Sequence, residues 1–407
     1  MKYVDFVDLT YKPKETDLIC TFYVEPEGIS LKEAAGGIAA ESSVGTWTEL
    51  TTIQPYVSKL AAHVFSLQDN VVKIAYPIEL FEDGNMPNIL SSVAGNVFGL
   101  KALKNLRLLD IQFPKELLDG FQGPAFGIGG IRKLLKISKR PLVGTIIKPK
   151  LGLKTIDHAK VAYDAWVGGC DVVKDDENLS SQIFNPFEAR LTKTLESRDR
   201  AEKQTGERKV YIINITAETD FMLERAQAVE DQGGEYVMVD ILTCGWSALQ
   251  TLRDQNFKLV IHAHRAGHAA FTKNPLHGIA MKPIATVARI IGVDQLHVGT
   301  VVGKMSETKS EVLEDIDACK AEMGELKPVL PVASGGLHPR LVPALMETFG
   351  NDFVIQAGGG IHGNPMGTIA GAKAMRQAVD ATLEGKTLQE YAKDHKELAA
   401  ALKQWPT

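Results

Sequence analysis

The sequence has few cysteines and no long apolar run, and each of these shortages excludes a class of protein. Its 407 residues include only four cysteines. They are widely spaced, at Cys20, Cys170, Cys244 and Cys319, which fits neither a disulfide framework nor a zinc-binding spacing. No apolar run is long enough to cross a bilayer, and residues 1–5 contain no apolar signal segment. We therefore expect a soluble protein that is not exported, with a reducing cytoplasm as its simplest location.

The sequence also has no excess of positive charge. Its 45 Lys and Arg residues face 50 Asp and Glu residues, which gives a net charge of −5 and a pI near 6.1. This balance provides no basic stripe for nucleic acid or for an anionic membrane, so an anionic substrate must be held by locally gathered cations. The chain is long enough for two domains. We expect its partners to be small molecules and other subunits.

Strand and helix patterns in the first part of the chain, residues 1–125, follow the order βαββαβ. Strand patterns occupy residues 17–25, 61–67, 71–78 and 105–113, and helix patterns occupy residues 30–41 and 86–99. This order predicts a small ferredoxin-like α+β domain with an antiparallel sheet. Trp47 follows the first helix in a polar loop, and by itself this loop favours a surface turn with Trp47 packed in the core. Asn96 is likewise more often a cap or turn residue than a ligand.

The second part of the chain, residues 126–407, alternates short apolar strands with helical patterns. The eight strand patterns lie at residues 141–147, 170–174, 209–215, 236–241, 257–262, 293–297, 328–333 and 352–357. Eight strands that alternate with helices over roughly 250 residues are typical of a TIM barrel. The predicted fold class is therefore α/β, a C-terminal (β/α)8 TIM barrel preceded by the N-terminal α+β domain.

The second strand of the predicted barrel ends in one lysine followed by three acids, within residues 168–178 (GGCDVVKDDEN). If strand alternation holds, Lys174 and Asp176 face one side, Asp175 faces the other, and Glu177 curls over the rim. Carboxylates that converge in this way suit Mg²⁺. An ammonium would repel the metal, so either Lys174 only neutralises the acids or CO₂ has converted its amine to an anionic carbamate. The alternative is a charged strand end that forms surface ion pairs.

Polar residues and glycines also follow the other strands of the predicted barrel. These stretches are Lys148–Lys150, His262–His268, His297–Lys304, Ser334–Gly336 and Gly358–Gly360. Active sites of such barrels lie at the carboxyl face, and phosphates commonly bind after strands seven and eight. Arg265 and His297 could hold a second anion across the mouth. A single glycine turn, core histidine or strand-end lysine is usually structural, but their joint presence indicates a bisphosphorylated sugar near a metal.

Several of these stretches form motifs that together resemble one enzyme family. The motifs are GTIIKPK at 144–150, GGxDxxKDDEN at 168–178, HRA at 264–266, GTVVGK at 299–304 and AESS at 40–43. They resemble the large subunit of ribulose-1,5-bisphosphate carboxylase/oxygenase (RuBisCO), over nearly the whole chain and most closely the archaeal-type form III enzymes that work without small subunits. The resemblance implies a homodimer in which the N-terminal domain of one subunit caps the barrel of its partner.

The resemblance also implies a role for each matching residue. Mg²⁺ is held by the carbamate of Lys174 with Asp176 and Glu177. Protons at C2 are handled by Lys148, supported by Lys150, while His264 contacts the substrate near C3 and Lys304 acts from a loop that closes over the substrate. One phosphate is bound by Arg265 and His297. The other is bound by Gly336, Gly358 and Gly359, with Thr46 and Trp47 of the partner subunit. A substrate hydroxyl contacts Ser334, and Glu41 and Asn96 are donated across the dimer.

The reaction that the resemblance implies is the carboxylation of ribulose 1,5-bisphosphate. The carbamate of Lys174 removes the C3 proton to give an enediol, while Mg²⁺ supplies a Lewis acid at the C2 carbonyl. CO₂ then adds at C2, and hydration and cleavage yield two molecules of 3-phosphoglycerate. O₂ can intercept the same enediol. The pathway stays open between nucleotide (AMP) salvage and a Calvin-type cycle, as does assembly beyond the dimer.

Two other functions stay open. One is a RuBisCO-like protein that enolises a diketo-phosphate in methionine salvage, and the other is a non-catalytic phosphosugar-binding barrel. The carboxylase is favoured by residues that such relatives typically lose and this chain retains: Lys148, His297, Ser334 and Lys304. The intact metal-ligand set argues against a binding protein.

The chain departs from the family pattern at two places. Gly267 stands where many relatives have methionine, which we expect to alter only packing. Met305-Ser306-Glu307 replaces the commoner Leu-Glu-Gly. This second change puts the closed form of the loop in doubt.

Overall fold

The computed structural model describes residues 2–303 and 307–406. The chain divides into two compact units. One comprises Met1–Gln122, Gly267–Ile291 and Met323–Leu326, and the other comprises Gly123–Ala266, Gly292–Glu322 and Lys327–Thr407. A single domain boundary between residues 125 and 126 stays a prediction.

The strands and helices follow one another in the order that the sequence patterns predict, with several short additional elements. The strands are β1 (Leu18–Pro26), β2 (His63–Gln68), β3 (Val71–Tyr76), β4 (Leu103–Gln112), β5 (Leu142–Ile146), β6 (Val172–Lys174), β7 (Val210–Asn214), β8 (Tyr236–Asp240), β9 (Val260–His264), β10 (Gly278–Ile279), β11 (Gln295–His297), β12 (Leu330–Ser334) and β13 (Val354–Gln356). The helices are α1 (Leu31–Glu41), α2 (Met86–Val93), α3 (Lys115–Leu118), α4 (Gly127–Leu135), α5 (Thr155–Gly168), α6 (Phe187–Thr205), α7 (Thr219–Asp231), α8 (Ile241–Cys244), α9 (Trp246–Asp254), α10 (Ala269–Thr272), α11 (Met281–Ile291), α12 (Lys309–Lys320), α13 (Val342–Phe349), α14 (Gly359–His362), α15 (Thr368–Leu383), α16 (Leu388–Tyr391) and α17 (Lys396–Gln404). Short 3₁₀ helices lie at Tyr3–Phe6, Val57–Leu60, Ile78–Leu80, Asn96–Gly99 and Pro339–Leu341.

The first unit is built on a mixed sheet in the order β10-β4-β1-β3-β2. The predicted βαββαβ order is confirmed, and β1 pairs antiparallel with both β3 and β4. The four predicted strands pair antiparallel, as expected, and the sheet as a whole is mixed because a further strand, β10, adds to β4 in parallel. The sequence pattern of residues 278–291 predicts a helix, which the structure begins only at Met281. Gly278 cannot begin one, since it has a φ of 108°, outside the helical region.

Helix α1 of the first unit begins at a capping box. Ser30 accepts a hydrogen bond from the backbone N–H of Glu33, and the Glu33 carboxylate accepts from the backbone N–H of Ser30. Each side chain thereby satisfies one backbone donor that the helix itself leaves open. The small residues of this helix, Ala34 to Ala40, are buried. Glu41 is its last residue, so the sequence determines where the following polar loop starts.

The second unit is a closed barrel of eight parallel strands within the described residues, in the order β11-β12-β13-β5-β6-β7-β8-β9. The predicted fold class is confirmed. The strands are short, apolar and almost entirely buried, as strands covered on both faces by side chains must be. Leu142, Val172, Ile212 and Met238 belong to one core cluster. Because all eight strands run in parallel, their carboxyl ends and the polar residues that follow them meet at one face.

Two further structural facts bear on the class of protein. No helix in the described part of the chain is long and apolar enough to cross a membrane. All four cysteines are free thiols, and Cys244 is the one that is not fully buried.

Candidate active site

The loops after β5 and β6 bring two lysines against two carboxylates at the carboxyl face of the barrel. Lys148 Nζ lies 2.6 Å from Asp176 Oδ2, and Lys150 Nζ lies 3.3 Å from Glu177 Oε1. Lys150 also approaches Asp176 Oδ1 at 3.9 Å. Asp176 is almost completely buried. The four side chains that the sequence assigned to this site therefore lie together, each carboxylate balanced by a lysine.

Asp175 points to the opposite side of the strand end, as the alternation predicted. Its carboxylate accepts hydrogen bonds from Arg190 Nε at 3.1 Å and from the Tyr211 hydroxyl at 2.6 Å, and it lies 3.1 Å from His158 Nε2. Burial raises the pKa of Asp175, but Arg190 and the hydrogen bond from His158 outweigh burial and lower it to about 2. This buried network anchors the strand end, so that Asp176 and Glu177 are directed to the barrel mouth.

Lys174 is buried inside the barrel, with only 1% of its surface exposed. Its Nζ donates to the carbonyl oxygen of Asp175 at 2.8 Å and contacts Met238 Sδ at 3.1 Å. Burial lowers the pKa of Lys174, against the opposite effect of Glu177 and Asp176. A lowered pKa favours the neutral amine, which is the form that reacts with CO₂.

His264 lies between two acids at the end of β9. Its Nδ1 is 2.6 Å from Asp240 Oδ1, and its Nε2 is 3.8 Å from Glu177 Oε2. Burial raises the pKa of Glu177, but His264 lowers it, and with contributions from Lys174 and Lys150 the pKa falls to about 2. Asp240 therefore orients a predicted catalytic histidine toward the predicted metal ligands.

A buried chain of side chains connects three neighbouring strands. Gln295 Oε1 lies 2.7 Å from His262 Nδ1, His262 Nε2 lies 2.9 Å from His297 Nε2, and His297 Nδ1 lies 2.8 Å from the Ser334 hydroxyl. Burial lowers the pKa of His262 to about 3 and that of His297 well below its usual value. The lowered pKa disfavours the charged form of each imidazole, and both ring nitrogens of His297 are already engaged, by His262 and by Ser334.

Arg265 supplies the positive charge beside this chain, and two acids already surround it. Its Nη2 donates to Glu307 Oε1 at 2.6 Å, and its Nη1 lies 3.9 Å from Asp315 Oδ2. Burial lowers the pKa of Arg265, while Glu307 and Asp315 raise it. The predicted phosphate ligand is thus bound to a carboxylate of its own chain.

Glycines follow β12 and β13 at the same face of the barrel, and Gly358 lies close to Lys148. Gly336 has a φ of 73°, a conformation in which a side chain is strained. A Cβ at Gly358 would lie 3.0 Å from Lys148 Cε, and Gly359 begins the short helix α14. A side chain at position 358 would therefore crowd the end of the Lys148 side chain.

The four predicted residues of the first unit lie on its surface or at its edge. Glu41 accepts a hydrogen bond from the Tyr3 hydroxyl at 2.7 Å, Thr46 is partly buried and Asn96 is exposed. Trp47 is 81% exposed, so the expectation from its loop alone, that it packs in the core, is wrong. In the same loop, Gly45 lies against Phe6, and a Cβ at Gly45 would come within 2.6 Å of its ring.

One predicted residue, Lys304, lies outside the described residues, as do Met305 and Ser306. Within the described residues, no group of three or more His, Cys, Asp or Glu side chains is gathered as metal ligands usually are. The predicted set of Lys174, Asp176 and Glu177 contains two such side chains and a lysine.

Four residues of the site were given no role in it by the sequence analysis: Asp240, His262, Gln295 and Glu307. Two of them carried a usable signal. Asp240 is a buried acid at the end of a barrel strand, and His262 stands two residues before His264, so strand alternation puts both on one side. Gln295 and Glu307 had no such signal, because their partners lie far away in sequence.

Comparisons with known proteins agree with this geometry. The family profile described as "Ribulose bisphosphate carboxylase large chain, N-terminal domain" matches residues 5–117, and the profile for the catalytic domain of the same chain matches residues 127–405. A protein of Methanocaldococcus jannaschii named ribulose bisphosphate carboxylase is 50% identical over 426 residues, which covers 99% of this chain and 100% of the relative.

Solved archaeal structures share the fold along the whole chain. The octameric RuBisCO of Pyrococcus horikoshii in complex with sulfate ion has a TM-score of 0.97 and 51% identity, with 99% of this chain and 97% of that chain covered. The dimeric archaeal RuBisCO of Hyperthermus butylicus has a TM-score of 0.93 and 46% identity, with 99% of each chain covered. Identity of this extent, with both family profiles matched in order, confirms the resemblance seen in the motifs, and the chain belongs to the ribulose bisphosphate carboxylase large chain family.

Proposed function

We propose that this protein is a ribulose-1,5-bisphosphate carboxylase that adds CO₂ to the enediol of its substrate and releases two molecules of 3-phosphoglycerate, with an oxygenase side reaction. The observation that carries the proposal is the meeting of Lys148, Asp176, Glu177 and His264 at one face of the barrel. A binding protein for phosphosugars has no need for acids, bases and candidate metal ligands within 4 Å of one another.

The chemistry of the donor set fits Mg²⁺ bound with a carbamate. Asp176 and Glu177 are hard oxygen ligands, of which Mg²⁺ usually takes one or two from the protein. Lys174 is buried beside them with a lowered pKa, so CO₂ can convert it to a third anionic ligand. When bound, Mg²⁺ supplies a Lewis acid at the substrate carbonyl.

The chain's own residues then divide the proton transfers. Lys174, once carbamylated, would take the proton from C3, and His264, oriented by Asp240, contacts the substrate near that carbon. Lys148 handles protons at C2, and Lys150, which contacts both acids, supports it. Lys304 serves the later step, in which the added CO₂ becomes a carboxylate.

Two anion sites hold the ends of the substrate. Arg265 with His297 binds one phosphate, and the backbone of Gly336, Gly358 and Gly359 binds the other. Ser334, whose hydroxyl already bonds to His297, contacts a substrate hydroxyl. The separation of a charged site from a backbone site distinguishes the two ends of the molecule.

The assembly that we propose is a homodimer, or a larger assembly of homodimers, without small subunits. Among the solved relatives, one is octameric and one is dimeric. In each site, Glu41, Thr46, Trp47 and Asn96 come from the partner subunit. Exposure of the Trp47 side chain supports this arrangement, because an indole of this size normally finds a contact. A cytoplasmic location stays a prediction.

The test is incubation with ribulose 1,5-bisphosphate, Mg²⁺ and labelled bicarbonate. We expect the label to appear in 3-phosphoglycerate. Absence of label, combined with enolisation of a diketo-phosphate, would instead identify a RuBisCO-like enolase. Absence of any turnover would leave a phosphosugar-binding barrel.

The carbamate is tested separately, through activation. Preincubation with CO₂ and Mg²⁺ should remove a lag in product formation, because an unmodified Lys174 presents an ammonium to the metal. Lys174→Ala should be inactive after the same treatment. Full activity without a lag in enzyme freed of CO₂ would contradict the carbamate.

A further inference from the structure

The contact between Arg265 and Glu307 is a buried ion pair at the position proposed for a substrate phosphate. The two side chains are 6% and 14% exposed, and the distance from Arg265 Nη2 to Glu307 Oε1 is 2.6 Å. A carboxylate offers a guanidinium the same oxygen acceptors that a phosphate offers. Glu307 therefore occupies a donor that the phosphate requires.

The backbone around the pair is shaped to admit Glu307. Gly299 follows β11 with a φ of 84°, and a Cβ there would lie 2.7 Å from Arg265 Nη2 and 3.2 Å from the carboxyl carbon of Glu307. Only glycine leaves this space open. On the other side of Glu307, Thr308 caps helix α12 in a capping box with Glu311. The position of Glu307 is thus defined from the helix that follows it.

The charges around Arg265 imply that the Glu307 carboxylate competes with the phosphate for this guanidinium and does not help to bind it. Asp315 lies 3.9 Å from the other terminal nitrogen, and burial raises its pKa well above the usual value. A phosphate that arrives while Glu307 stays in place would put two anions against one buried guanidinium. The phosphate and the Glu307 carboxylate would repel each other strongly, because the site is shielded from water. While Glu307 Oε1 accepts from Nη2, a phosphate can contact this guanidinium only beside a second anion.

We propose that Glu307 is an intramolecular competitor for the phosphate that Arg265 binds, so that its carboxylate must leave the guanidinium before the substrate is fully held. The inference rests on the proposed role of Arg265 as a phosphate ligand. It goes beyond that role because it makes Glu307 a residue that sets the apparent affinity for the phosphate. The apparent dissociation constant rises in inverse proportion to the fraction of molecules in which Arg265 is available. Glu307 is thus a positioning residue that acts through Arg265.

The experiment compares Glu307→Gln with the parent enzyme, using inorganic phosphate as the probe in calorimetric titrations. Glutamine keeps the shape of glutamate but removes its charge, so the dissociation constant for phosphate should fall roughly tenfold, as expected if Arg265 is available in about a tenth of the parent molecules. The KM for ribulose 1,5-bisphosphate should fall with it, while kcat changes much less. Glu307→Asp keeps the charge on a shorter side chain, so its dissociation constant for phosphate should lie between those of the parent enzyme and Glu307→Gln.

Glu314→Gln is the matched control, because it removes the same charge from an exposed position of helix α12. It should leave phosphate affinity and KM unchanged. If Glu314→Gln gained as much phosphate affinity as Glu307→Gln, the proposal would be overturned, because the gain would then come from the change in net charge. Thermal unfolding supplies a second measurement. Glu307→Gln should be less stable than the parent without phosphate and should gain more stability from added phosphate.

Arg265→Ala separates a failure of this inference from a failure of the proposed function. If Arg265→Ala leaves phosphate and substrate affinity unchanged, Arg265 is not a phosphate ligand and the underlying function of the site is wrong. If Arg265→Ala weakens binding but Glu307→Gln does not strengthen it, the competition alone is refuted. In the Arg265→Ala background, the Glu307→Gln change should have no further effect on affinity, and a retained tenfold gain there would also refute the competition.

Discussion

Lys148 Nζ and Asp176 Oδ2 lie 2.6 Å apart, so the ammonium of a proposed catalytic residue is bound to a proposed metal ligand. The lysine is 29% exposed and the aspartate is 1% exposed, which means that the lysine is the partner with room to move. A metal held by Asp176 would compete with this ammonium for the carboxylate. Lys148 would then be available to the substrate. The same side chain can therefore stabilise the metal-free site and act as an acid or base in the loaded one.

We expect Lys148→Met to separate metal binding from catalysis. Carboxylation should fall about 100-fold or more, the usual loss when a general acid or base is removed. Mn²⁺ replaces Mg²⁺ in the binding measurement, because electron paramagnetic resonance detects it. Its affinity should stay the same or increase, because the competing ammonium of Lys148 is gone. Lys160→Met, which removes a surface lysine paired with Asp164, should change neither quantity. Weaker Mn²⁺ binding in Lys148→Met would contradict the competition between lysine and metal.

Mixed dimers test the proposal that each site is shared between subunits. Glu41→Gln and Lys174→Ala should each be inactive as homodimers. In a dimer with one subunit of each kind, one site receives both changes and the other receives neither. One site in two should therefore be active, so purified mixed dimers should form product at about half the rate of the parent dimer. No recovery in verified mixed dimers would mean that Glu41 and Lys174 serve the same subunit.

Lys304 is expected to serve carboxylation but not the earlier proton transfer. Its charge stabilises the carboxylate that forms when CO₂ adds, whereas the C3 proton is removed by groups already present in the barrel. Lys304→Ala should still exchange the C3 proton of ribulose bisphosphate with solvent, followed by isotope release, while it makes almost no 3-phosphoglycerate. If exchange and carboxylation fall together, Lys304 only holds the substrate.

The chain's departure from the family pattern beside Lys304 gives a second test of that segment. The double change Ser306→Glu with Glu307→Gly restores the commoner residues. We expect it to shift the ratio of carboxylation to oxygenation more than it shifts proton exchange, because the ratio depends on how the developing carboxylate is held. Product analysis under mixed CO₂ and O₂ measures the ratio. A larger effect on exchange would contradict this assignment.

His362 should make the folded protein sensitive to acid. Its Nε2 lies 3.0 Å from both the Thr145 hydroxyl and the carbonyl oxygen of Ile146. Burial lowers its pKa to about 4, opposed by the hydrogen bond to Ile146 and assisted by Lys148. The unfolded chain, with an ordinary pKa near 6.5, binds more protons between these values, so stability rises with pH across this window.

The contribution of His362 is complete above about pH 6.5 and is lost as the pH falls toward 4. It amounts to at most about 3.5 kcal/mol, because the pKa differs by about 2.5 between the two states and each pKa unit corresponds to about 1.4 kcal/mol. We expect His362→Gln to reduce the difference in the free energy of unfolding between pH 7 and pH 5, measured in urea. An unchanged difference would show that His362 is not protonated on unfolding.

The local pattern of apolar and polar residues was sufficient to predict the helices and strands and many residues of the candidate active site. Strand alternation alone put Asp175 on the opposite side from Lys174 and Asp176, and the buried contacts of Asp175 with Arg190 and Tyr211 agree with it. The eight strands were recognisable because each is a short apolar segment between helical patterns. Where the pattern misled, a local conformation was responsible, as at Gly278, whose positive φ keeps it out of helix α11.

The amino-acid sequence by itself determined which residues stand at the strand ends, because side-chain direction in a strand has a period of two and the carboxyl ends of parallel strands share one face. Only the tertiary structure decided which of those residues touch. Asp240 meets His264 across 24 positions, and Arg265 meets Glu307 across 42. Such pairs depend on the register in which the barrel closes and on the path of each loop. These are properties of the packed chain as a whole, and no short-range pattern in the sequence carries them.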